Sequence, residues 1–220
     1  MSINDCRLLV FAKAPVPGQV KTRLVPSMGP SAATALYEQL VLNILSIAID
    51  AHVGPVDLWC APSSNHPFFL QCVQKFQIIL LNQIESDLGS RMAHAFHETL
   101  KTASQTILIG TDCPSLTVYD LQEAAGVLRQ GIDAVIGPTE DRGYFLIGLR
   151  RYAPELFTGI SWGTESVLDQ TRACLRGLGW KWHELSERWD VDRPEDVERL
   201  IREGYIKKGG QGGSLYFRQF

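Results

Sequence analysis

Leu8-Leu9-Val10-Phe11-Ala12 contains no polar side chain, and it runs directly into Lys13-Ala14-Pro15-Val16-Pro17-Gly18-Gln19-Val20-Lys21-Thr22-Arg23-Leu24. An unbroken apolar run of this kind, rather than an alternating one, is the pattern of a strand covered on both faces. Similar runs recur at Val56 to Ala61, Ile78 to Leu81, Thr106 to Ile109, Ala134 to Gly137 and Tyr144 to Leu149. Between them, apolar residues fall at helical spacing. Pro30-Ser31 precedes Leu36, Leu40, Ile44 and Ile47, and Met92, Ala95, Phe96 and Leu100 recur within Arg91 to Leu100. Leu116 to Leu128 and Thr164 to Leu175 read the same way. Pro194-Glu195-Asp196 opens a last helix through Val197, Leu200 and Ile201, since proline and acidic residues suit a first turn. Strands alternating with helices predict an α/β fold, a three-layer sandwich around a mostly parallel sheet.

The chain of 220 residues is long enough for one core to remove roughly 70% of the unfolded surface from water. Residues 1–206 are therefore expected to form a single domain, and 207–220, which opens with the glycine-rich, polar stretch Lys207 to Gly213, a mobile tail. A net charge of -3 gives no general attraction to nucleic acid or to an anionic membrane, so any phosphate must be recognised by a local cluster. Leu8 to Ala12 is too short to span a bilayer and lacks a basic segment before it. The five cysteines are scattered and form no CxxC pair, so reduced thiols in a cytoplasmic protein are expected. Cys113 has no histidine near it in sequence and reads as a small packed thiol rather than a nucleophile.

Ligands of open α/β sheets bind beyond the carboxyl ends of strands. The loop after the first apolar run occupies that place and carries Lys13, Lys21 and Arg23. Gly18 permits close backbone approach to a ligand, and two prolines restrict the loop. It is either a solvated basic loop or a cradle for a diphosphate held by charge-assisted hydrogen bonds. The segment matches neither a Walker A loop nor a GxGxxG fingerprint. Ile107-Leu108-Ile109-Gly110-Thr111-Asp112-Cys113-Pro114 sets Asp112 just past another strand. A carboxylate there either caps a helix starting near Ser115 or bridges a hard cation such as Mg²⁺ to substrate phosphates. Asp190-Val191-Asp192-Arg193-Pro194-Glu195-Asp196 forms a second acidic cluster. Alternation places Asp190 and Asp192 on one side of an extended segment, while Glu195 and Asp196 suit the helix start.

These motifs together resemble a bacterial glycosyltransferase-A-like family, often labelled uncharacterised or selenodomain-associated transferase 1, among the nucleotide-diphospho-sugar transferases. The resemblance spans Leu8 to Ile201. It rests on Phe11 to Gly18 with Lys21-Thr22-Arg23-Leu24, Asp87-Leu88-Gly89 with Arg91-Met92, and Gly110 to Pro114. It continues through Gly137-Pro138, Asp141, Gly143-Tyr144, Trp162, Thr164 and Asp190 to Asp196. The resemblance implies a glycosyltransferase-A fold, a mixed sheet related to the Rossmann architecture. It implies that Lys13, Gly18, Lys21 and Arg23 hold phosphates, and that Asp112 and Asp192 bind a metal, Mg²⁺ or Mn²⁺. By analogy with uridylyltransferases it places Gln83 and Gly89 at the nucleobase, although Gln83 equally reads as a residue at a strand end. Trp162 either stacks on a sugar or acceptor ring or is packed. Relatives commonly read aspartate-glycine-glycine-tyrosine where this chain has Asp141-Arg142-Gly143-Tyr144. Arg142 is thus expected either to strain a turn or to contact an anionic substrate.

The function implied is a metal-dependent transferase that takes a nucleotide-activated sugar donor and a small-molecule acceptor, with Asp141 orienting or deprotonating that acceptor. Asp141 equally reads as a turn residue. Two alternatives remain at this level: nucleotidyl transfer to a phosphorylated small molecule with release of pyrophosphate, and a non-catalytic nucleotide-binding module. Neither nucleic acid nor a membrane span enters any of these readings.

Overall fold

Its continuous apolar character buries β1 (Cys6–Lys13) in the middle of a sheet, where Leu8, Leu9 and Val10 are fully shielded from solvent. In the computed structural model, which describes residues 6–208 and 215–217, β1 lies between β2 (Val56–Ala61) and β4 (Gln105–Ile109), parallel to both. The sheet is completed by β3 (Ile79–Asn82), β5 (Ala134–Pro138), β6 (Tyr144–Leu149) and β7 (Trp182–Glu184). The order is β3-β2-β1-β4-β6-β5-β7, and within this sheet β6 runs antiparallel to both its neighbours.

Period-two alternation along β1 divides the core into layers. Leu8, Val10 and Ala12 pack with α2 (Pro30–Asp50), α3 (Pro67–Phe76) and α5 (Val118–Arg129) through Ile44, Phe69 and Leu121. Leu9 and Phe11 face the opposite layer, which contains Met92 and Phe96 of α4 (Leu88–Thr99) and Leu168 of α6 (Val167–Gly177). By length and composition α2 could cross a bilayer, but its Leu36, Leu40, Ile44 and Leu45 are buried within the protein.

A smaller apolar cluster positions the later site. Leu24, beside the short helix α1 (Val25–Met28), packs with Leu36 and Leu40 of α2, with Val191, and with Leu200 of α7 (Pro194–Arg202). Burial of each such side chain contributes roughly 1.5–3 kcal/mol. The loop after β1 and the segment before α7 are thereby clamped to one support.

The six expected strands and five expected helices are present, with small shifts at their ends. Helix α3 and strand β7 were not expected. β7 has three half-buried residues at the sheet edge, too few to leave a periodic signal. At the start of the stretch expected to be a tail, β8 (Ile206–Lys208) crosses the expected boundary and pairs antiparallel with β9 (Leu215–Phe217), which lies beside α2. The remainder of that stretch, 209–214 and 218–220, is outside the described residues.

Candidate functional site

The carboxyl end of β1 is pinned from below. The Tyr37 hydroxyl accepts a hydrogen bond from the Lys13 backbone N–H at 2.8 Å, and Gln83 Nε2 donates to the carbonyls of Ala12 and Trp59 at 3.3 and 2.8 Å. Burial first, and then the charge of Asp112, pushes the Tyr37 phenol upward, so it stays neutral. The loop then turns through Gly18 at φ 80°, a conformation that glycine adopts readily. It turns again at Lys21, which is left-handed at φ 47°.

That second turn directs the Lys21 side chain inward, leaving it 3% exposed. Its ammonium lies 2.6 Å from Asp112 Oδ1 and 3.5 Å from Asp192 Oδ1, and it donates to the Val191 carbonyl at 2.5 Å. Burial opposes the charge, but the pairing with Asp112, then Asp192 and Asp190, outweighs it and raises the lysine above its ordinary value. Arg23 reaches Asp192 Oδ2 at 2.9 Å from a largely exposed position. The loop after β1 and the aspartate after β4 therefore meet in one crevice, as expected. That crevice lies where β1 has sequence-distant β4 on one side and β2 on the other.

Asp112 is not a helix cap. Helix α5 starts at Val118, where Thr117 and Asp120 form a reciprocal capping box. The Asp112 carbonyl instead accepts the Val191 N–H at 2.8 Å, which places Asp190 and Asp192 beside it. Asp196 supplies the cap of α7, accepting from the N–H groups of Asp192 and Arg193 at 2.9 and 2.7 Å. The acidic run is thus divided. Asp196 caps the helix, and Asp190 and Asp192 face the crevice.

Asp190 is a site residue that the sequence reading left without a role. Part of the residue reaches solvent, but its Oδ1 is buried with no hydrogen-bond partner. Burial, followed by the charges of Asp112 and Asp141, pushes its carboxyl up to about 8. The signal available in the sequence was the alternation that pairs it with Asp192. Asp141 adjoins the cluster, and its Oδ1 accepts from Thr139 Oγ1 and the Gly143 N–H at 2.6 and 3.1 Å, so its turn role is present.

Other expected residues lie elsewhere or are occupied. Lys13 is exposed at the end of β1, beside the loop. Gln83 is buried, and its amide donors serve backbone carbonyls rather than a base. Gly89 is required by packing, because a Cβ there would sit 2.4 Å from the Phe157 carbonyl oxygen and 2.5 Å from Trp162 Nε1. Trp162 packs edge-on to Tyr144 and lines a groove of about 750 Å³ between α4 and the 152–162 segment, together with His94, His97 and Tyr152. None of Lys13, Lys21, Arg23, Asp112 and Asp192 lines that groove. Arg142 does take the left-handed conformation, at φ 66°. Its guanidinium pairs with Asp169 and with the Glu165 carbonyl, not with the crevice.

The donor set fits a divalent ion held jointly with a ligand. Among the described residues no group of three or more His, Cys, Asp or Glu side chains forms a cage for a metal. Asp112 keeps 47% of its side chain exposed although Oδ1 is sealed under Lys21, so its outer face is open to the crevice. Asp190, whose Oδ1 has no hydrogen-bond partner, is brought near it by the bond from the Val191 N–H to the Asp112 carbonyl. One or two carboxylates completed by phosphate oxygens is the usual arrangement for Mg²⁺.

Fold and site together define the class: a transferase fold of the glycosyltransferase-A, nucleotide-diphospho-sugar type. The chain belongs to the family described as "uncharacterized protein conserved in bacteria (DUF2064)", matched over residues 44–164. That span holds Asp112 and Asp141, and the basic loop and Asp192 lie outside it. A structure from Desulfovibrio desulfuricans G20, provisionally assigned as a nucleotide-diphospho-sugar transferase, is 29% identical over 96% of this chain and 92% of its own, with a TM-score of 0.83. CMP:2-keto-3-deoxy-manno-octonic acid synthetase, solved with CTP, shares the fold at 12% identity, covering 90% and 97% of the two chains with a TM-score of 0.58. Glucosyl-3-phosphoglycerate synthase from Mycobacterium tuberculosis, solved with Mn²⁺, UDP and glucosyl-3-phosphoglycerate, shares it at 10% identity, covering 90% and 76%, with a TM-score of 0.53. No curated protein sequence matches the chain.

Proposed function

We propose that the protein transfers a sugar from a nucleoside-diphosphate donor to a small acceptor, in the presence of Mg²⁺ or Mn²⁺. The observation that carries this reading is the convergence of Lys21, Arg23, Asp112, Asp190 and Asp192 in one crevice at the carboxyl ends of β1 and β4. Asp112, flanked by Asp190 and Asp192, would hold the ion. A bound divalent ion supplies Lewis-acid neutralisation of the diphosphate as it leaves.

The chain's own residues supply the rest. Lys13 and Arg23 would donate charge-assisted hydrogen bonds to phosphate oxygens, and Lys21 would join them by turning from its partners Asp112, Asp192 and the Val191 carbonyl. Because Tyr37 and Gln83 fix the end of β1, these donors need little reorganisation when charge develops on the leaving group. Asp141 would receive or orient the acceptor's proton through the carboxylate oxygen not committed to its turn.

Thermal melting with a panel of nucleotides and nucleotide sugars, with and without Mn²⁺ or Mg²⁺, tests the reading. A ligand at 100 times its Kd adds about 2.7 kcal/mol, or roughly 5–11 °C for a domain of this size. The product then separates the two chemistries: nucleoside diphosphate marks sugar transfer, and pyrophosphate marks nucleotidyl transfer. If no nucleotide shifts the melt with either ion, the reading fails.

A further inference from the structure

We infer that Lys21 makes the crevice a receptor for a metal–diphosphate complex rather than for a free metal ion followed by a nucleotide. The inference rests on the metal-dependent reading above. The Lys21 ammonium donates to Asp192 Oδ1 and the Val191 carbonyl and forms an ion pair with Asp112 Oδ1, so it touches three oxygens. All three belong to the segments that carry the expected metal ligands. In the ligand-free protein, Lys21 is therefore the internal cation of the carboxylate cluster.

A free divalent ion approaching Asp112 meets this like charge, held in a side chain with almost no exposure to screening water. A diphosphate reverses the balance. Its oxygens offer the ammonium new partners and bring negative charge to offset both cations. Metal and diphosphate then favour each other's binding, and by linkage the coupling is reciprocal. The left-handed turn at Lys21 places its backbone at the surface while its side chain points inward, so the ammonium can be redirected without unpacking the Leu24 cluster.

A competing account makes Lys21 a simple strut between the loop and the Val191 segment. The two accounts differ in sign. Loss of a strut weakens every ligand. Loss of the internal cation strengthens metal binding and weakens metal-free diphosphate binding.

The experiment titrates Mn²⁺, followed by the spin-resonance signal of the free ion, into wild type and Lys21→Met. It is run without nucleotide and with each of ADP, GDP, CDP and UDP. Wild type should bind Mn²⁺ weakly alone and much more tightly with the recognised diphosphate. Lys21→Met should bind Mn²⁺ alone about tenfold or more tightly than wild type, given the strength of a close charge pair of low exposure. It should also bind that diphosphate more weakly in the absence of metal. A folded variant that binds Mn²⁺ alone no tighter than wild type overturns the inference while leaving the proposed function standing. Lys21→Gln repeats the test should the methionine variant not fold. Wild type that binds Mn²⁺ equally well with and without every diphosphate also overturns it. Wild type that binds Mn²⁺ under neither condition removes the metal-dependent reading itself, and this inference with it.

Discussion

Replacing Asp112 with asparagine keeps the side chain's shape and removes one charge, so it separates the proposed metal role of this residue from its structural one. In the folded protein the lost charge lies 2.6 Å from a buried ammonium, but the carboxylate itself is 47% exposed. Breaking a fully buried pair costs about 3–5 kcal/mol, and an exposed pair is worth about 0–1 kcal/mol. Lys21 keeps Asp192 and the Val191 carbonyl, and Asp190 loses a repelling neighbour. The expected destabilisation is therefore about 1–2 kcal/mol, seen as a melting temperature lower by roughly 2–8 °C. The functional loss should be larger. Removal of a group that merely orients a metal ligand costs about 10–100-fold in metal affinity, and removal of the ligand should reach that range or exceed it. Calorimetric titration of a nucleoside diphosphate in Mn²⁺ and in EDTA gives the decisive pair of numbers. Asp112→Asn should lose affinity in Mn²⁺ and hold or gain it in EDTA, where the crevice has become less negative. Unchanged affinity in Mn²⁺ would refute the assignment of Asp112 as a ligand, and global unfolding would return it to a structural role.

Gly89→Ala should destabilise by about 1–3 kcal/mol through overpacking against Phe157 and Trp162, with nucleotide affinity of the folded protein intact; an unchanged melt would contradict the close approach. Arg142→Gly relieves a left-handed residue at a gain of about 1 kcal/mol but gives up an exposed pair with Asp169 worth about 0–1 kcal/mol, so the melt should stay near wild type. Its nucleotide affinity should not change, and a tenfold loss would place the guanidinium in the crevice after all. The Arg172 guanidinium, assisted by the Trp182 indole, holds the Glu184 carboxyl below the usual range. That stability is present above the unfolded glutamate value of about 4.3 and is lost as pH falls through the lower folded value. Glu184→Gln should accordingly melt below wild type at neutral pH and converge with it below about pH 4; a constant gap across that range would show that the pair is not the source.

The layered fold was legible because β1 is apolar without interruption and the helices between strands keep a 3.6-residue spacing. Sheet order followed less directly, since β6 inserts between β4 and β5 and no local pattern encodes its antiparallel direction. At the site, Lys21, Arg23 and Asp112 were legible as charged residues just past buried strands. Gln83 and Gly89 were misleading for a physical reason. One is buried and spends its amide donors on strand carbonyls, and the other makes room for an indole. Arg142 was expected either to strain a turn or to contact an anionic substrate; it takes the left-handed turn, and its guanidinium is held by a carboxylate on α6 and a carbonyl just before that helix. Such partners are separated by more than twenty residues and leave no trace in a local motif.

The acidic run before α7 shows how backbone hydrogen bonds decide among identical side chains. Composition alone makes Asp190, Asp192 and Asp196 equivalent candidates for a helix start. The bond from the Val191 N–H to the Asp112 carbonyl fixes an extended segment, and burial of Val191 orients it. Residues flanking Val191 must then point away from the apolar cluster, which is toward Lys21 and Asp112. Asp196, four residues beyond Asp192, closes on the N–H groups of Asp192 and Arg193 and takes over the capping role. With the cap supplied, the carboxylates of Asp190 and Asp192 have no structural work left except with Lys21 and Arg23. With the Asp190 carboxyl pushed up to about 8, Asp112 and Asp192 are already matched by Lys21 and Arg23, so under the proposed function an added cation would be accommodated best together with the negative charge of a phosphate.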